Sequence, residues 1–341
     1  MPPSFLHHLH PPTIPAAQSR WGYTLGAGGI SVFLMLMLGV TGILEMFYYI
    51  PDPQKAALSV QTITYLVPLG GLVRNLHYWS GQLLMVFSGL HLLRVIFTGA
   101  YTPLRRFNYL LGLVLFVGCI LLNFTGYILR WDVNICYPLL TGTNLLKTIP
   151  GIGGFLYELA LGGEEACTGG LFRFYIWHIF GLAAAAFIML VWHVFRVRRD
   201  GGIALPPPRL RADSVRITRN ELVRREVLAM LGAGAALLVL SSFIPAPIAA
   251  AMTGGGLTGE SRAPWFFLWI QQLLKWGDPF FLGIVIPFGM LLILALIPFL
   301  FPKPAEEEVG RWFPKSSRLV QITAVVMVLI LLSLTLAAYA S

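Results

Sequence analysis

Residues 74–94 read RNLHYWSGQLLMVFSGLHLLR, an oily run long enough for a membrane helix that nevertheless carries His77 and His91, fourteen residues apart. A polar or ionisable side chain at membrane depth is costly and marks a functional position. At about 1.5 Å rise and 100° per residue, fourteen residues separate the two side chains by roughly 21 Å along the axis and by only about 40° in direction. Both imidazoles of this helix therefore look the same way from two depths.

The rest of the chain has the composition of a membrane protein. Of 341 residues, 57% are hydrophobic and only 11% are charged, where a soluble domain carries roughly a quarter. Apolar runs near 26–50, 76–98, 108–130, 173–195, 225–245, 279–301 and 317–339 are each long enough to cross about 30 Å of hydrocarbon. The expected fold class is thus an all-α integral membrane protein with seven transmembrane helices. The opening MPPSFLHHLHPPTIPAAQSR has no short apolar core followed by a small-residue cleavage site, so no cleavable leader is expected.

A net charge of +9 does not point to nucleic acid here, because the basic residues alternate with the spans. With the N-terminus inside, sixteen Lys and Arg fall in inner segments, nine of them arginines between Arg196 and Arg225, and seven fall in outer ones. Basic residues concentrate on the cytoplasmic side. The expected placement is a prokaryotic cytoplasmic membrane, with the N-terminus cytoplasmic and the C-terminus on the outer side.

Spans one to four end at RVRRDGG, and the Pro- and Arg-rich connector IALPPPRLRADSVRITRNELVRRE leads to spans five to seven. This predicts a four-helix domain over 1–205 and a three-helix domain over 206–341. The outer loops 131–172 and 246–278 mix amphipathic pieces with glycine hinges, which predicts short helices lying on the membrane surface. The three cysteines form no CxxC, so an iron–sulfur cluster held by this chain alone is not expected. Cys136 and Cys167 share an outer loop, where either a disulfide or two free thiols is open to test by mass mapping with and without reductant. Cys119, inside span three, reads as a small packing residue.

Within the spans the only other histidines are His178 and His193, both on span four. Their fifteen residues correspond to roughly 22 Å and about 60° of rotation. Spans two and four run in the same direction, so His77 is level with His178 and His91 with His193. Two pairs of imidazoles at two depths make two bis-histidine sites. A low-spin haem takes one axial imidazole from each side, whereas zinc needs further nitrogen, sulfur or carboxylate ligands that the spans lack. Interhelical hydrogen bonding accounts for any one of these histidines but not for four at matched depths.

Glycines repeat the period: Gly28 and Gly42 on span one, and Gly112 and Gly126 on span three, are also fourteen apart. Glycine lets the flat edge of a macrocycle approach the backbone. Arg74, Arg94 and Arg173 lie close to histidines at the membrane boundary, placed for haem propionates.

The segments LGAGGISVFLMLMLGVTG, RNLHYWSGQLLMVFSGLHLLRV, GLVLFVGCILLNFTGYILRWD, IPGIG, RFYIWH and WHVFRVRRDGG together resemble the cytochrome b family, the quinol-oxidising membrane subunit of bc-type complexes. The likeness is strong over spans one to four and looser over the rest, through APWFFLWIQQLLK. The fifteen-residue spacing and the seven spans resemble the plant and cyanobacterial type, there split between two chains and here fused.

The resemblance implies two non-covalent b haems joining two quinone sites on opposite faces. Quinol would be oxidised at the outer site, with one electron leaving to an iron–sulfur protein and the other crossing to reduce quinone inside. It places the outer pocket at Gly142, the segment including Ile149 and Pro150, Trp265 and Phe266, and the inner one near Arg198 and Asp200. It also implies a dimer within a multisubunit complex, with a Rieske-type iron–sulfur protein and cytochrome c as partners.

Three departures stand out. The family's outer-site motif Pro-Glu-Trp-Tyr falls on Ala263, Pro264, Trp265 and Phe266, so its glutamate is missing, and Glu260 is the neighbouring carboxylate that could replace it. Arg130 stands where the family commonly has proline, which puts a cation at the outer end of span three. Leu34 occupies the position of the cysteine that attaches an additional haem in the plant type, so no covalent haem c is expected. The alternative to a bc-type subunit is a dihaem anchor relaying electrons between the quinone pool and another redox enzyme.

Overall fold

The computed structural model describes residues 12–101, 103–205, 215–251 and 262–340. Seven helices are long and apolar enough to cross a membrane: Ala27–Met46, Gly70–Phe97, Arg106–Ile128, Leu171–Arg199, Arg219–Phe243, Phe281–Leu300 and Lys315–Ala340, numbered here as spans one to seven. The protein is an all-α integral membrane protein, with spans one to four forming the bundle expected from the sequence. Large apolar side chains such as Phe180, Phe243 and Leu300 face outward, as helices surrounded by lipid require.

Span one starts where the chain turns sharply at Gly26, whose φ is +61° and whose added Cβ would lie 2.7 Å from the Trp21 ring. Only glycine meets both demands at low cost. Span five starts at Thr218, whose hydroxyl accepts from the backbone N–H of Glu221 at 3.3 Å, an N-cap read directly from T-x-x-E.

In hydrocarbon, close packing rather than transfer from water holds helices together. At mid-depth Leu34, Met35, Leu84, Met85, Cys119, Ala186 and Leu237 form one buried cluster drawn from spans one to five. Cys119 is a free, buried packing residue there. Span five lies along spans one and two, span six along span three, and span seven against span two and the helix Leu268–Leu274. Polar ties reinforce this: Tyr109 donates to the Leu294 carbonyl at 2.9 Å, and the Asn75 amide and Trp79 indole of span two donate to carbonyls of Ser241 and Ile244.

The two ends of the bundle differ. At the loop end, loop 131–172 contains the helices Cys136–Lys147 and Gly153–Leu161, and Val133 donates to the Ala250 carbonyl of the other long loop at 3.0 Å. Cys136 and Cys167 are joined by a disulfide. At the connector end, strands Thr13–Pro15 and Arg216–Thr218 pair antiparallel in the register Thr13 to Thr218. A further helix, Ala56–Tyr65, precedes span two.

Span four is not α-helical throughout. Trp177–Ala184 is π-helix and Ala185–Arg199 is α-helix. A π turn closes i to i+5, so it consumes about one more residue than an α turn. That absorbs the fifteenth residue between His178 and His193, and the rotation of about 60° expected for a regular α-helix is not carried through to the site.

Candidate functional site

The four histidines meet in two pairs. The ring centroids of His77 and His178 are 6.5 Å apart, and those of His91 and His193 are also 6.5 Å apart. The rings meet edge-on, at interplanar angles of 63° and 82°, rather than stacked, and the gap suits a metal held between two ring nitrogens. With about 2 Å for each metal–nitrogen bond and about 1 Å from nitrogen to ring centre on each side, the sum is roughly 6 Å. Among the described residues no group of three or more His, Cys, Asp or Glu side chains converges anywhere. Two imidazoles per site cannot complete the four-coordinate shell of zinc. They would suffice for a metal that arrives with its remaining ligands already in place, as haem iron does.

Each glycine at the fourteen-residue period lies under one imidazole. A Cβ added at Gly28 would stand 3.0 Å from His91 Cε1, at Gly42 3.1 Å from His77, at Gly112 3.0 Å from His193, and at Gly126 2.9 Å from His178. The glycine spacing predicts room here for a macrocycle edge. In the structure the imidazole itself fills it, so the missing side chain sets how far each imidazole can retreat toward the neighbouring span.

Two threonines were missed in the sequence. Thr41 Oγ1 is 3.0 Å from His77 Nδ1, and Thr125 Oγ1 is 2.9 Å from His178 Nδ1. Each immediately precedes a glycine of the repeat, so the doublet Thr-Gly was the signal. The residues before Gly28 and Gly112 are Ala27 and Leu111.

The three arginines placed for propionates have different surroundings. Arg74 is buried and donates to the carbonyls of Ala246, at 3.2 Å, and Pro247. Arg94, 5% exposed, donates to the Tyr23 carbonyl and lies over the Tyr23 ring at 4.3 Å. Its Nη2 has no partner among the described residues, which leaves a buried cationic donor suited to a carboxylate. Burial pushes the Tyr23 hydroxyl pKa up, with Arg94 pulling the other way. Arg173 is instead exposed, with its Nε 2.5 Å from where a Cβ of Gly162 would stand.

At the connector end His91, His193, Arg94, Asn108, Arg198 and Glu226 line a cavity of about 500 Å³. Arg198 pairs with Glu226 at 3.5 Å. Asp200 is drawn instead to Arg196 at 3.1 Å and Arg199 at 3.3 Å. A groove of about 780 Å³ between spans one, two and five adjoins this cavity and shares Trp21, Ile30, Arg225 and Ala229 with it.

At the loop end Phe124 joins the residues expected in the outer pocket. A Cβ at Gly142 would lie 3.0 Å from its ring, and Phe267 meets it edge-on at 5.6 Å. Trp265 donates its indole N–H to Gln82 Oε1 at 2.7 Å, and Phe266 packs on the mid-depth cluster. Gln82 in turn donates to Asn123 Oδ1 at 3.4 Å, a polar link at membrane depth that the sequence reading passed over. Ile149 and Pro150 form the turn between the two loop helices, where Gly153 N–H donates to the Ile149 carbonyl at 2.9 Å. Glu260 lies outside the described residues. Arg130 is not a bare cation: its Nε donates to Asp132 at 2.9 Å, which offsets its charge locally.

A family model described as Cytochrome b/b6/petB matches residues 14–201. Cytochrome b6 of Heliomicrobium gestii is 37% identical over 174 residues, 51% of this chain and 82% of that protein. The menaquinol:cytochrome c reductase cytochrome b subunit of Bacillus subtilis (strain 168) is 34% identical over 176 residues, 51% of this chain and 78% of that protein. A chain of a hyperthermophilic respiratory Complex III shares the fold with a TM-score of 0.74 at 18% identity, covering 93% of this chain and 92% of the other.

Proposed function

The chain belongs to the cytochrome b/b6 family, and from that premise we propose that it is the dihaem cytochrome b subunit of a quinol-oxidising membrane complex. The observation that carries this reading is the pair of imidazole gaps, each 6.5 Å between ring centroids, with no third protein ligand converging among the described residues. His77 and His178 would hold one haem, and His91 and His193 the other. When bound, the haems supply a one-electron path between the two levels of the bundle. Gly28, Gly42, Gly112 and Gly126 seat the ligand rings, while Arg74 and Arg94 are the cations closest to hand for carboxylates. Arg173 is the weakest of the three, being exposed. Leu34 offers no thiolate, so we assign no covalent haem.

We read the loop end as the outer face. The arginine-rich connector is at the opposite end, and the disulfide at the loop end suits an oxidising compartment such as the periplasm. Residues 1–205 would carry the haems, and 206–341 would complete the outer pocket through Trp265 and Phe266. Gly142, Ile149 and Pro150 form the other wall of that pocket. An inner quinone would sit in the cavity beside Arg198, its apolar tail along the adjoining groove. Asp200, held by Arg196 and Arg199, is the less available of the two inner residues. Partners would be a Rieske-type protein and cytochrome c, in a dimeric complex.

One observation favours a second reading, a dihaem anchor serving another redox enzyme: Ala263 and Pro264 stand where the family motif has its proline and glutamate. A reduced-minus-oxidised spectrum and pyridine haemochrome assay of the purified chain should give two b haems per chain, and a folded chain without haem overturns the proposal. Reduction of those haems by quinol, blocked by outer-site inhibitors, separates the bc-type subunit from the anchor.

A further inference from the structure

The two histidine pairs share their ligand chemistry but not what lies behind the rings. A threonine hydroxyl has one proton to give. Thr41 Oγ1 is 2.7 Å from the Met37 carbonyl and Thr125 Oγ1 is 2.9 Å from the Leu121 carbonyl, and a carbonyl can only accept. Each hydroxyl therefore donates to its own helix, and its contact with the histidine must be donated by the ring, from Nδ1–H to oxygen. A neutral imidazole with its proton on Nδ1 carries its lone pair on Nε2. The corresponding residues at the other pair, Ala27 and Leu111, have no hydroxyl.

We propose that Thr41 and Thr125 are positioning residues for the His77–His178 pair alone, fixing the tautomer that presents Nε2 to iron and making this pair the more electron-rich of the two donor sets. The inference rests on the haem reading of the site. A ligand imidazole that donates its other N–H to an acceptor is held in orientation and becomes more basic. A more basic ligand favours ferric over ferrous iron, so the two hydroxyls lower the midpoint potential at the loop end and leave the connector end untouched. Two such hydroxyls, one from span one behind His77 and one from span three behind His178, hold both rings of the pair in the same way.

The test is a potentiometric titration of haem absorbance in membranes containing the full chain. Thr41→Val and Thr125→Val should each raise the same one of two midpoint potentials and leave the other where it was. A tenfold loss of ferric over ferrous preference reads as about 59 mV for one electron. Thr41→Ser and Thr125→Ser, which keep the hydroxyl, should stay at the native value. If a valine variant loses the loop-end haem while its serine counterpart keeps it at the native potential, the proposal is supported. It is overturned if neither potential moves, if both move together, or if serine behaves as valine. A native chain that binds no haem overturns the functional reading first and this inference with it, whereas native haem content with unresponsive potentials overturns this inference alone.

Discussion

The loop end and the connector end present the same two imidazoles at the same spacing in opposite kinds of surroundings. Around His77 and His178 the structure is tied down: two hydroxyls behind the rings, a disulfide across the covering loop, and Trp265 hydrogen-bonded to span two. Around His91 and His193 it opens into a cavity of about 500 Å³, largely apolar but with Arg94, Arg198 and Glu226 in its walls. The contrast teaches that one bundle can hold two like pairs of imidazoles in unlike surroundings. Spans two and four present the same imidazoles at both ends, while spans one and three place hydroxyls behind only one pair.

The sharpest way to break the comparison is to remove one donor. His178→Ala should abolish the loop-end haem and leave the connector-end one, halving the haem-to-protein ratio; loss of both haems would mean the pairing is wrong. Cys136→Ser comes next, since opening a native disulfide costs about 2–4 kcal/mol. Loop 131–172 should become sensitive to protease and the thermal midpoint should fall, with the absorbance of the connector-end haem unchanged. Gly126→Ala pushes a methyl to within 2.9 Å of the His178 ring. Overpacking of this kind costs about 1–3 kcal/mol, read as a lower melting temperature and a displaced α-band for one haem only. Arg198→Ala should have the smallest effect on stability, because a partly exposed ion pair such as Arg198–Glu226 contributes about 0–1 kcal/mol. Its consequence should appear instead as weaker quinone binding at the connector end, measured by titrating quinone against the purified chain.

How much of this was legible in the sequence follows from how each feature is encoded. The seven spans were legible because an apolar run of membrane length is a signal no other structure needs. The four histidines stood out because so few polar residues share those runs. The roles of Thr41 and Thr125 were hidden, since a threonine that donates to the carbonyl four residues back is ordinary in a helix, and only its second contact sets it apart. The ribbon of Thr13–Pro15 with Arg216–Thr218 was hidden for a different reason: three residues are too few to show alternation. Gln82 and Asn123 are polar side chains inside oily runs and carry the same kind of signal as the histidines. The resemblance puts Asp200 with Arg198 at the inner site, yet Arg196, one turn earlier on the same helix, holds it.

The π-helical stretch Trp177–Ala184 also bears on how this chain tolerates insertions and deletions. Ligand depth is a length in space, and span four reaches it with one residue more than span two uses. Deleting one alanine from the run Ala183–Ala186 should convert the wide turns to α-helix and leave both haems bound, as a haem assay of that variant will report. Two relatives differing by one residue between these histidines would show a gap when aligned by letters and none when superposed by atoms.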